Sequence, residues 1–188
     1  MTGAARSLSF AEFDRLFDEV KNWGRWGAED ERGALNLITA EKRRAAASLV
    51  RDGIAVSCAL PLATQPGPEN PSPVVHLMAG AGDQPNTYAS FDYFAIAPHG
   101  MANTHLDALC HIFYRGQMYN GFPCTQVTST GALACSIEAA EDGVVSRGVL
   151  LDVARTVGKP WLEPGEAIYV EDLEAAERRA GVRVEEGD

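Results

Sequence analysis

Positive charge is scarce in this chain: 16 Lys and Arg stand against 26 Asp and Glu, giving a formal net charge of −10 and a sequence pI near 4.8. Phosphate-backbone recognition rests on clustered Lys and Arg, so a nucleic-acid partner is not expected. Cysteine is sparse too. Cys58, Cys110, Cys124 and Cys135 form no CxxC pair, so neither a zinc ribbon nor a dense disulfide framework is indicated, and ordinary buried thiols in a reducing cytosol are the expectation. Residues 1–7 hold no apolar segment of signal-peptide length, and no apolar run reaches the roughly 20 residues a bilayer requires. Membrane insertion and secretion are therefore not expected, and a cytoplasmic location is. A glycine-rich phosphate loop of the dinucleotide or Walker type is lacking, as are internal repeats.

What the chain does have is enough apolar material, 46% of 188 residues, to bury a core, most simply as one domain over 1–188. Histidine is its most concentrated resource: three of the four histidines, His99, His105 and His111, fall with Asp107 inside thirteen residues. If Thr104 to Asp107 is extended, His105 and Asp107 leave one face while Leu106 points to the core. If the chain turns helical after Asp107, then Asp107 and His111 share a face four residues apart. Deprotonated imidazole and carboxylate bind Zn or Mn, and a further histidine titrates near neutral pH, so this stretch is a candidate metal site with an acid/base beside it. The remaining histidine, His76, stands alone in sequence and reads as structural.

The rest of the chain alternates helices, strands and loops without a clean βα repeat. Ser9 to Glu12 has the capping-box pattern, and Phe10, Phe13, Leu16, Phe17 and Val20 follow at helical spacing. A first helix over 10–21 with a core-facing aromatic stripe is therefore expected. Trp23 to Asn36 reads as an ordered loop anchored by Trp23 and Trp26. Thr39 can cap a second helix running to about Arg51, stopped by Gly53. Strands are expected over 54–60, 74–78, 88–97 and 144–153. Five prolines between Pro61 and Pro73 impose an irregular loop. An aromatic, glycine-rich loop over 112–123, a short helical piece capped by Ser136, and a last helix over 171–180 closed by Gly181 complete the reading.

The segment Thr104-His105-Leu106-Asp107-Ala108-Leu109-Cys110-His111 resembles the second half of the His-x-Gly-Thr-His-x-Asp-x-Pro-x-His signature of the cyclase family, metal-dependent hydrolases that include bacterial kynurenine formamidase and isatin hydrolase. Arg25 to Thr39, Met118 to Gly121 and Arg147 to Asp152 resemble further stretches of its longer members. The resemblance implies a mixed α/β, swivelling β/β/α fold, a divalent metal (Zn or Mn), and hydrolysis of a cyclic amide or aryl formamide. It also implies a small-molecule substrate and a homo-oligomer, dimer or tetramer. His105 would be a metal ligand, Asp107 a metal-binding or bridging carboxylate, and His111 the general acid/base. Trp23, Trp26, Phe113 and Tyr114 would be walls for an aromatic substrate.

The sequence departs from that pattern in three ways. The family's first ligand histidine falls on Met101, a thioether ill suited to an oxygen- and nitrogen-ligated ion, with His99 two residues earlier as its replacement. The Gly and Pro positions are Asn103 and Leu109. Further histidine and glutamate ligands lie far downstream of the signature in family members, beyond the reach of these 188 residues, so the chain reads as an N-terminal portion truncated after 188. Two readings follow: a metal-dependent amidohydrolase, or a non-catalytic cyclase-like binding or assembly fragment. A thiol enzyme built on Cys110 and His111 is a weak third, because adjacent helical residues do not face each other.

Overall fold

The structure, a computed structural model, describes residues 7–188. In chain order its helices are α1 (Phe10–Val20), α2 (Ala40–Ala47), α3 (Val153–Thr156) and α4 (Val170–Ala180); its strands are β1 (Val75–Ala79), β2 (Phe91–Ala95), β3 (Val127–Thr128) and β4 (Gly131–Ala132). Short 3-10 turns fill much of the remainder, including Gly33–Leu37 and Leu109–His111. The chain separates into two compact units: unit 1 takes the described part of Met1–Asp52 with Leu109–Asp188, and unit 2 is Gly53–Ala108.

In unit 1, α1 starts where the capping box places it: Ser9 Oγ accepts from the Glu12 amide and Glu12 Oε2 accepts from the Ser9 amide at 2.8 Å. Its aromatic stripe is not buried as expected. No α1 residue is buried; instead Phe13 and Phe17 pack on Tyr114 at 5.5 and 4.6 Å, and Phe17 meets Trp23 edge-on at 5.6 Å. α2 is capped by Thr39, whose Oγ1 accepts from the Lys42 amide at 3.1 Å, but its α-helical hydrogen bonding ends at Ala47, short of Arg51. Gly53 lies at φ +65°.

The core of unit 1 gathers around Met118 and Cys135, the largest fully buried side chains among the described residues. The loop after α1 is laced to it. Asp30 accepts from Tyr119 Oη at 2.7 Å, the Gly33 amide at 2.9 Å and Asn36 Nδ2 at 2.6 Å. Asn120 Nδ2 donates to the carbonyls of Gly27, Ala28 and Asp30, and Asn120 Oδ1 accepts from the Gly24 amide. Ser136 caps the 3-10 turn Ile137–Ala140, as expected. The strand expected over 144–153 is not formed: residues 144–150 pair with no strand among the described residues, Leu150 is 82% exposed, and Asp152 caps α3 by accepting from the Arg155 amide at 2.9 Å. An apolar run supplies strand propensity but not a ladder partner. α4 packs on α3 and ends at Gly181 in the left-handed conformation.

Unit 2 is built on the antiparallel ribbon of β1 and β2, in which His76 faces Phe94 and Met78 faces Asp92. The expected strand over 54–60 has no ladder either, and Ile54 and Val56 remain more than three-quarters exposed. The proline-rich stretch is irregular, as its prolines require.

Candidate metal centre

Three of the sequence-predicted ligands converge within unit 2. Asp107 Oδ1 lies 2.7 Å from His99 Nδ1 and 3.4 Å from His105 Nε2. The two imidazoles meet edge to face, centroids 5.4 Å apart. The alternation expected for 104–107 thus delivers His105 and Asp107 to one place without a regular strand. Leu106 does not enter the core; it is 59% exposed, and residues 104–107 form no strand.

The chemistry of the pair His105 and Asp107 follows from a third contact. His105 Nδ1 lies 2.8 Å from the Asn103 carbonyl oxygen. A carbonyl can only accept, so Nδ1 carries the proton and the ring of the neutral tautomer presents the lone pair of Nε2 to Asp107. With Nδ1–H committed, Nε2 and the carboxylate are joined by a cation between them, either a proton on Nε2 or a metal ion. A ligand histidine whose other nitrogen is fixed to a carbonyl is also the usual outer support of a metal site. The residues therefore fit a divalent ion. The His105 side chain is 20% exposed against 54% for His99, so His105 is the better shielded donor.

Met101, at the family's first ligand position, is 83% exposed, whereas His99 stands on Asp107. His111 closes the 3-10 turn Leu109–His111 in unit 1, four residues along the chain from Asp107; the helix expected there is 3-10 rather than α. Next to it, Cys110 is buried and its amide donates to the Cys135 carbonyl at 3.0 Å. Burial pushes the Cys135 thiol up to about 11, with the nearby Glu31 carboxylate adding to the shift. Cys135 is therefore an unreactive buried thiol, as expected of the cysteines, while Cys58 is exposed.

The aromatic residues assigned to substrate are engaged in unit 1. Tyr114 packs on Phe13 and Phe17, and its hydroxyl donates to Asp14. Trp23 sits against Phe17, and Trp26 lies under the Arg25 guanidinium at 4.9 Å. Phe113 is half exposed. Sequence reasoning passed over Asn103 and Asn70, the buried polar residues among those described, and the partner of His76, whose Nε2 lies 2.6 Å from Asp92. A polar residue in the midst of a histidine cluster was a signal for the first. The His76 contact depends on strand register, which the sequence does not print.

Fold and site together define a mixed α/β chain carrying a histidine–carboxylate group suited to metal. The family model described as "Putative cyclase" matches residues 26–188, and the chain belongs to that family. A crystal structure described as a novel cyclase is similar at a TM-score of 0.76 and 34% identity, over 87% of this chain and 58% of that one. The chain thus spans less than two thirds of the length of that solved relative. No curated protein matches it.

Proposed function

We propose that this chain carries the histidine–carboxylate part of a metal-dependent hydrolase acting on amide bonds, a cyclic amide or an aryl formamide. The observation that carries the proposal is the single oxygen of Asp107 shared by His99 and by the Nε2 of a His105 whose Nδ1 is already committed. His105, Asp107 and His99 would hold the ion, Zn or Mn by the nitrogen and oxygen donor set. Such an ion supplies Lewis acidity, polarising a carbonyl and acidifying water in its field.

The chain's own groups account for the remainder. Asp107 would supply negative charge to the ion and hold the His99 ring through Oδ1. Asn103 holds the His105 tautomer. His111 would take the proton from the attacking water as its oxygen bonds to the carbonyl carbon, then deliver it to the nitrogen as the C–N bond breaks, a role suited to an imidazole, which can both accept and donate a proton. Trp23, Trp26, Phe113 and Tyr114 are proposed as aromatic surroundings for a small-molecule substrate. A homo-oligomer is part of the same proposal, supported by the exposure of every residue in β1 and β2; sedimentation that stays monomeric across concentration would remove it. A cytoplasmic setting is proposed from the four free cysteines.

The test is metal content and amide hydrolysis in the purified protein and in His105→Ala. Bound Zn or Mn lost in the variant supports the proposal; equal metal in both overturns it. The exposed thioether of Met101 at the first ligand position favours a second reading, a non-catalytic member of the family. Under it the protein holds no metal and hydrolyses none of the amides.

A further inference from the structure

Both buried polar residues among those described act on one backbone position. Asn103, 5% exposed, accepts through Oδ1 from the Ala63 amide at 3.1 Å. Asn70, 8% exposed, donates through Nδ2 to the Ala63 carbonyl at 3.1 Å and to the Gln65 carbonyl at 2.6 Å. The Val74 amide also donates to the Ala63 carbonyl, at 2.9 Å, and Thr104 Oγ1 accepts from the Leu60 amide at 2.9 Å. The start of the irregular, proline-rich segment is therefore bonded, at Leu60 and Ala63, to residues 104 and 103, the two that precede His105, and its far end is tied back to Ala63 by Asn70 and Val74.

From this we propose that Asn103 is a positioning residue for the His105 ligand. Its side chain is locked to Ala63, which fixes the direction of its own carbonyl; that carbonyl accepts from His105 Nδ1 at 2.8 Å. The ring is thereby held in the tautomer that offers Nε2 to Asp107. Burial makes the lock stringent, since an asparagine oxygen deprived of its donor in a water-poor setting costs more than the bond itself contributes. The family signature has glycine here, which has no side chain with which to make such a lock. The proline-rich segment thus serves as a rigid outer support for the ligand loop in this chain.

The proposal rests on the metal reading for its consequence but not for its first readout. In the metal-free protein, long-range proton–nitrogen correlation of the His105 ring reports which nitrogen carries the proton. We expect the Nδ1–H form in the wild type, a mixture in Asn103→Ala, and the wild-type form in Asn103→Asp, which keeps the accepting oxygen. Titration with Co2+, followed by its visible absorption, should show affinity reduced 10- to 100-fold in Asn103→Ala and nearly restored in Asn103→Asp. If Asn103→Ala does not fold, Asn103→Ser is measured in its place. An unchanged tautomer in the Ala or Ser variant, or an Asp variant as impaired as Ala, overturns the assignment. Absence of Co2+ binding in the wild type overturns the metal reading, and the tautomer then decides the role of Asn103 alone.

Discussion

At the scale of single residues, the chain spends its carboxylates in two ways. Asp107 faces two imidazoles and leaves one acceptor pair to be bridged. Asp30 accepts from Tyr119, Asn36 and the amides of Gly33 and Arg32, and is structural. Burial works to raise the Asp30 carboxyl, but the donors from Tyr119, Asn36 and the Gly33 amide outweigh it, so it lies below the usual range. Tyr119→Phe removes one of these donors, and urea unfolding should show a loss of about 1.5–3 kcal/mol, the worth of a hydrogen bond to a charged group. Asp188 is lowered further, through hydrogen bonds from Arg147 and Lys42. A carboxylate depressed in the folded state contributes stability above its unfolded value near 4, lost as pH falls through the folded value. Urea midpoints should accordingly drop steeply below about pH 4, and Asp188→Asn should flatten that drop while lowering the midpoint at pH 7.

Elements differ in how far the sequence could announce them. Helix ends were legible because their signals are local: the Ser9–Glu12 capping box, Thr39 before α2, Ser136 before its 3-10 turn and Gly181 after α4 all act within three or four residues. Strands were legible only in part: β1 and β2 form where 74–78 and 88–97 were expected, whereas Ile54 to Leu60 and Val144 to Val153 have the composition of strands but no ladder, because pairing needs a partner that composition cannot supply. The candidate site stands between these cases. His105 and Asp107 were legible from two-residue alternation, while the Asn103–Ala63 lock was not, since forty residues separate its ends. The final turn is a further element that only the fold explains. Arg147 chelates Asp188 at 2.5 and 2.8 Å, Lys42 reaches it at 2.6 Å, and Ser146 Oγ donates to the Gly187 carbonyl. Gly187 lies at φ +79°, and a Cβ there would come within 2.5 Å of the Leu37 carbonyl oxygen. Gly187→Ala should therefore destabilise unit 1 by well over about 1 kcal/mol, read as a lower thermal midpoint, because both the left-handed backbone and the close approach oppose a side chain. An unchanged midpoint would mean that the turn is not docked.

On the scale of the whole chain, membership of the cyclase family joins a histidine–carboxylate cluster to a strongly acidic protein in which no helix, among the described residues, is long and apolar enough to cross a membrane. The family's first ligand position has become an exposed methionine, while His99 stands on the shared carboxylate. On the proposed reading, His99 stands in for residue 101 as a ligand and the site is kept. The most direct measurement is metal stoichiometry by elemental analysis of the purified protein beside His105→Ala and Met101→Ala. Zn or Mn present in the wild type, retained in Met101→Ala and lost in His105→Ala is the predicted result. A wild-type protein free of metal, or a His105→Ala variant that keeps it, would contradict the account.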